Sequence, residues 1–111
     1  MTAPAPTDPR AAVDRCYDLT LFVNGASELS ARAIADARRL CDLSGGRCRL
    51  AVIDIHDDPA AAVRSRIYAV PALVRTGPLP VRRLVGDLSQ TGRVLSALRL
   101  LRAGELEETP A

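Results

Sequence analysis

Apolar and polar positions alternate from residue 17: Tyr17, Leu19, Leu21 and Val23 are interleaved with Asp18, Thr20 and Phe22. A period of two predicts a first strand. Asn24-Gly25 ends it as a turn, and Ser27 can cap a helix. Ile34, Ala37, Leu40 and Cys41 then recur at helical spacing, and Gly45-Gly46 stops the helix. Leu50-Ala51-Val52-Ile53 is an unbroken apolar run within 49–55, as expected for a strand buried on both faces. Asp58-Pro59 reads as an N-cap followed by proline at the first helical position. Ala60, Val63 and Ile67 mark one face of the short helix that follows.

Val70-Pro71 breaks that helix, because a residue before proline avoids helical geometry. Residues 72–75 read as a short strand, Thr76-Gly77-Pro78 as a turn, and 81–85 as a further strand with Arg82 and Arg83 in its middle. Val94, Leu95, Leu98 and Leu101 mark a last helix ending before Gly104. The order β-α-β-α-β-β-α is the thioredoxin topology, an α/β single domain with a right-handed first crossover. That topology places a cis-proline before its third strand, where Pro71 stands; the alternative is an ordinary trans proline ending a helix. Residues 1–15 and 105–111 read as tails around a domain at 16–104.

Composition sets limits on the function. A hydrophobic fraction of 48% supplies a core, but only 3% is aromatic, so Leu, Val, Ile and Ala must build it. A net charge of +2 does not suit a dedicated nucleic-acid binder. All 15 basic residues are arginine. Codon bias is the plainer explanation; the alternative is an interface that uses the planar fork on carboxylates. No apolar run reaches membrane-spanning length, and the N-terminus has no signal-like apolar region, so a cytoplasmic location is expected.

Thioredoxin-like enzymes keep Cys-x-x-Cys at the start of the first helix, where the helix N-terminus lowers the thiol pKa. Residues 24–30 here contain no cysteine. Cys41 falls near the end of that helix, Cys48 near the next strand and Cys16 before the first. These positions suit small half-buried hydrophobes; a Cys41–Cys48 disulfide across the Gly-Gly turn is the alternative. His56, the one histidine, sits beside Asp57 and Asp58, where a helix cap explains the aspartates better than a metal. No serine has a nucleophile-elbow context, and there is no phosphate loop. Neither an enzymatic activity nor a cofactor is expected.

Three stretches resemble the KaiB family. Leu21-Phe22-Val23-Asn24-Gly25 with Ser30-Ala31-Arg32-Ala33 is like the family's L-Y-V-A-G and S-x-R-A. Val52-Ile53-Asp54-Ile55 with Asp58-Pro59 is like V-I-D-V and N-P. Most specific is Ile67-Tyr68-Ala69-Val70-Pro71-Ala72-Leu73 followed by Pro80-Val81-Arg82-Arg83-Leu84-Val85-Gly86-Asp87-Leu88-Ser89, against I-L-A-T-P-T-L and P-V-R-R-I-I-G-D-L-S. The match runs from residue 17 to about 102.

The resemblance implies a non-catalytic adaptor of a circadian clock, or of a related stress or signalling system. Its partners would be a KaiC-like ATPase ring, a KaiA-like protein or a histidine kinase with a KaiB-like sensor domain. It also implies two folds: a thioredoxin-like form, and a ground state, often oligomeric (dimer or tetramer), with a rearranged second half. A basic residue before the I-L-A-T-P stretch contributes to docking in the family, and Arg66 matches it here. The candidate partner-binding residues are Arg64, Arg66, Arg82 and Arg83; the candidate fold-switch residues are Pro71, Pro78, Pro80, Gly86 and Asp87. Asp87 is expected either to cap the last helix or to pair with an arginine. One departure is Pro78-Leu79-Pro80 where the family often has three prolines. With Gly77-Pro78 as a hairpin turn, this favours the thioredoxin-like form. Two other readings are a stand-alone sensor domain serving a histidine kinase in trans and a thioredoxin-like redox protein, the latter opposed by the missing Cys-x-x-Cys.

Overall fold

Seven elements follow one another in the computed structural model, which describes residues 16–100. They are β1 (Tyr17–Val23), α1 (Glu28–Leu43), β2 (Cys48–Asp54), α2 (Pro59–Arg64), β3 (Ala72–Gly77), β4 (Arg82–Val85) and α3 (Thr91–Leu98). The order is the β-α-β-α-β-β-α read from the sequence. The tails expected at 1–15 and 105–111 lie outside the described residues, as do Leu101 and Gly104.

The sheet runs β2-β1-β3-β4. β1 is parallel to β2 and antiparallel to β3, and β3 and β4 form a hairpin. The alternation in β1 divides the core. Tyr17, Leu19, Leu21 and Val23 join Ala33, Ala37 and Leu40 of α1 and Val94, Leu95 and Leu98 of α3. On the other face Phe22 gathers Ala72 and Val74 of β3 with Ala61, Ala62 and Ile67 from α2 and the turn after it. One layer is therefore rich in leucine and thick; the other is thin and rich in alanine.

Local signals act as expected at the helix starts. Ser27 caps α1, its Oγ accepting from Ser30 N at 3.0 Å. Asp58 caps α2, accepting from Ala61 N at 3.2 Å, with Pro59 in the first turn. Asp54 Oδ1 accepts from Gly25 N at 2.8 Å and His56 N at 2.9 Å, which ties the end of β2 to the turn after β1. Those two amide donors hold its carboxyl below the usual carboxylate range.

All three helices end in the same way. A residue of positive φ follows each, Gly45 and Arg66 two places past the ends of α1 and α2 and Arg99 directly after α3. Each chain end then returns a paired set of backbone bonds: Gly45 N to Asp42 O and Gly46 N to Cys41 O, Arg66 N to Val63 O and Ile67 N to Ala62 O, Arg99 N to Ser96 O and Leu100 N to Leu95 O. This is the Schellman arrangement, in which glycine is the usual residue at the left-handed position. Arginine holds it twice here.

Two expectations are corrected. β2 is not buried on both faces: β3 takes the far side of β1, so β2 is an edge strand and Val52 is 40% exposed. β1 is the strand covered on both faces. In α2 the inward residues are Ala61 and Ala62, while Ala60 and Val63 point to solvent. The helix stops at Arg64, and Ile67 reaches the core only after the left-handed turn at Arg66. Two small side chains let the short helix lie close on Phe22.

Candidate functional site

One end of the sheet collects most of the residues singled out from the sequence. The turn after α2 carries Arg66, Ile67, Tyr68 and Ala69 alongside Arg83 and Val85 of β4, and these six line a shallow groove. Arg83 and Val85 share the strand face on the α2 side. The Arg83 guanidinium Nη1 donates to Ser65 O at 3.2 Å and Arg66 O at 3.1 Å, so it satisfies carbonyls left open at the helix end. Tyr68 is 91% exposed and Val85 49%. Among the described residues β4 is an edge strand, paired only with β3. A bare aromatic ring, arginine and an unpaired strand edge are what protein interfaces draw on.

The four candidate arginines do not form one cluster. Arg66 and Arg83 meet. Arg64 sits at the end of α2, 4.0 Å from Asp58 in an exposed pair that contributes little. Arg82 lies on the opposite face of β4, half-buried on the side of α1 and α3. Adjacent strand residues point to opposite faces.

The candidate switch residues fall at both ends of the β3–β4 hairpin: Pro71, Gly86 and Asp87 at the end beside this face, Pro78 and Pro80 at the tip. The Val70–Pro71, Gly77–Pro78 and Leu79–Pro80 bonds are cis. Pro78 and Pro80 flank the tip of the β3–β4 hairpin, where Leu79 is exposed. Gly86 N donates to Pro71 O at 2.9 Å. Asp87 does not cap α3: its carboxylate accepts from Ser89 N at 2.9 Å and Ser89 Oγ at 2.8 Å, forming a turn of its own. Those bonds hold the carboxyl below its usual range. Gln90 occupies the N-cap of α3 without a side-chain bond.

Gly86 holds φ +112°, and nothing lies within 4 Å of where a Cβ would be. The requirement is therefore conformational, not steric. Gly86→Ala should lower the stability of this arrangement by about 1–3 kcal/mol, read as a fall in the urea midpoint. An unchanged midpoint would refute the assignment.

Leu29, Arg32 and Ala33 of α1, with Pro71 and Gly86–Ser89, line a second groove. In the thioredoxin topology the redox pair belongs at this helix start. Here Ser27 and Ser30 stand there, bonded to each other and to Asn24 O, and the three cysteines lie elsewhere. His56 is exposed and Asp58 is occupied as a cap. Among the described residues, no group of three or more His, Cys, Asp or Glu is arranged to hold a metal. No described helix is long and apolar enough to cross a membrane.

Sequence reasoning missed Tyr68, Val85 and Arg75. Tyr68 carried a signal: it puts one of three aromatic rings where the family motif has leucine. Arg75 read only as the last residue of a short strand; it is 5% exposed, with Nη2 donating to Pro80 O at 3.0 Å and Nη1 to Arg99 O at 3.4 Å.

Known proteins match both the sequence and this geometry. The KaiB domain model matches residues 20–100. The circadian clock oscillator protein KaiB of Synechococcus elongatus is 38% identical over 96 residues, 86% of this chain and 93% of that protein. The Prochlorococcus marinus protein of the same name is 39% identical over 99 residues, 88% of this chain and 93% of its own length. Among solved structures, the N-terminal domain of Synechococcus elongatus SasA superposes with a TM-score of 0.66 at 24% identity, covering 89% of this chain and 92% of that one. The thioredoxin Deadhead of Drosophila melanogaster gives 0.58 at 15% identity, over 80% and 87%. The fold is thioredoxin-like, and the chain belongs to the KaiB family.

Proposed function

We propose that this chain is a non-catalytic adaptor that acts in the cytoplasm and docks on a KaiC-like ATPase ring, in a circadian clock or a related signalling system. The face formed by Arg66, Tyr68, Arg83 and Val85 makes the contact. Its relatives' names place them in the clock, and the observation that carries the docking reading is Arg66 itself. It holds φ +55° at a helix end where glycine is favoured. A costly residue kept at such a position points to a use for its side chain. That side chain is exposed beside a bare tyrosine.

The same feature supplies a clean test. Arg66→Gly removes the guanidinium and relieves the backbone, so the fold should hold or gain about 1 kcal/mol. Binding to a KaiC-like ATPase, measured by calorimetry, should still weaken. Arg66→Glu should weaken it by about 2 kcal/mol, roughly thirtyfold. Wild-type affinity in both variants would remove this face from the interface.

The proposal includes a second, rearranged fold in exchange with this one. Gly86 and Pro71, joined by a backbone bond, stand where the two would part. Rival folds persist only within a few kcal/mol of each other. The cost of Gly86→Ala is of that size, so the variant should drain strand signals at residues 82–85 from backbone NMR spectra.

A further inference from the structure

The three cysteines, spread over 33 residues of sequence, converge at the end of the sheet remote from the docking face. Cys16 immediately precedes β1, and Cys48 opens β2 opposite Tyr17. Cys41 lies in the last turns of α1. The tight turn at Gly45-Gly46 sends the chain straight back, so Cys41 and Cys48 both pack half-buried against the leucine-rich core. Both thiols are free, and they are near enough to shift each other's ionisation.

A second observation concerns Ser44. It is fully buried, and its hydroxyl has no hydrogen-bond partner among the described residues. It stands in the turn that joins Cys41 to Cys48, where its hydroxyl favours the ionised form of Cys48. A buried donor without a good acceptor is costly. A thiolate accepts a hydrogen bond far better than a thiol, so this pocket fits Cys48 ionised. The Cys41 hydrogen bond comes first in favouring the Cys48 thiolate, with Ser44 and the positive charge of Arg47 behind it, against the cost of burial. Cys41 is pushed well above the ordinary thiol range by its bond to Cys48, by burial and by the charges of Cys48, Asp42 and Cys16.

We propose that Cys48 and Cys41 form a reversible thiol–disulfide site, with Cys48 the attacking thiolate, Cys41 the resolving thiol, and low-molecular-weight disulfides of the glutathione class the oxidant. Cys48 attacks one sulfur of the oxidant; the oxidant's S–S bond breaks, and one thiolate leaves and takes up the proton Cys48 gave. Once Cys48 is in the mixed disulfide its charge is gone, and with it the main force holding the proton on Cys41. Cys41 then loses that proton and attacks the Cys48 sulfur. The bond to the oxidant breaks, and its second half leaves as a thiol. Two protein thiols are oxidised to one disulfide, and the oxidant disulfide is reduced to two thiols. The product closes a ring from residue 41 to 48 and ties the end of α1 to the edge strand β2. The site is a switchable cross-link, not a turnover centre, and it does not depend on the docking proposal.

The test uses the full chain, reduced, desalted and equilibrated with glutathione and glutathione disulfide at graded ratios, then acid-quenched, alkylated and mapped by mass spectrometry. The expected product has lost two hydrogens, joins the Cys41 and Cys48 peptides and reverts in dithiothreitol, with or without Cys16→Ser. Cys41→Ser should trap a glutathione adduct on Cys48. In the reduced protein, iodoacetamide at neutral pH should label Cys48 at least about tenfold faster than Cys41, because only the thiolate reacts, and Ser44→Ala should narrow that ratio. Modification confined to Cys16, with Cys41 and Cys48 still alkylable in excess glutathione disulfide, would overturn the proposal. So would labelling of Cys41 as fast as Cys48.

Discussion

Phe22→Ala should cost about 3–5 kcal/mol, the range for removing a buried aromatic ring, and the loss should fall first on α2. Phe22 is the one phenylalanine in the chain and is 2% exposed. Around it stand Ala61, Ala62, Ala72, Val74 and Ile67. Three of these are alanines, which cannot swing in to fill the space. α2 has six residues, well below the length at which a helix holds without tertiary support. The opposite layer, built from Leu19, Leu21, Leu40, Leu73 and Leu98, does not touch this ring and should outlast it. Hydrogen exchange should therefore show amides 61–67 losing protection before those of α1, and urea titration should give the total. The docking face rests on the same layer through Ile67, so binding should fall although Arg66 and Arg83 are intact. Phe22→Leu should lose far less, about 1 kcal/mol. A Phe22→Ala protein within 1 kcal/mol of the parent (about 1 kcal/mol being small against the ring's expected share) would show that α2 is held by something else.

What was legible in the sequence was local. Ser27, Asp58-Pro59 and Gly45-Gly46 each act on the backbone within a few residues, and each does in the structure what its chemistry predicts. The alternation in β1 was equally readable, since one strand carries its own period. Sheet order is not local. Residues 50–53 form an apolar run compatible with a central strand, and nothing within it reveals that β3 inserts on the far side of β1. The phase of α2 was misread for a related reason: Val63 and Ile67 share a face only if the helix continues, and it ends at a left-handed arginine instead. Glycine there would have announced the stop. The candidate site was half legible. The family motif located Arg66 and Arg83, whereas grouping Arg82 with them passed over the period of two that separates neighbours on a strand. Tyr68 differs from the motif, and that difference was itself the clue to an exposed ring.

Arg75→Met should cost about 3 kcal/mol, although the new side chain is apolar and of similar length. Arg75 is 5% exposed on β3, and its two terminal nitrogens reach Pro80 O at the hairpin tip and Arg99 O at the end of α3. Those carbonyls belong to two segments, the hairpin tip and the end of α3, which this side chain's fork ties together. Methionine would leave both without that donor, and a hydrogen bond made by a charged group contributes about 1.5–3 kcal/mol. The positive charge also lies at the C-terminal end of α3, where a cation is favoured. Replacing a buried ionic group by a hydrophobe is sometimes neutral, because the desolvation cost of the charge disappears with it. Here the charge has two carbonyl acceptors that stay behind, so the balance should go against methionine. Arg75→Lys keeps the charge but has no planar fork to span two carbonyls, and should recover only part of the loss. Urea titration of the three proteins gives the order arginine, lysine, methionine. Hydrogen exchange should locate the damage at residues 82–85 and 94–100, with α1 unchanged. Equal stability of the methionine and parent proteins would mean that the hairpin and α3 are held by their apolar contacts alone, with Leu84 and Leu98 against the common core.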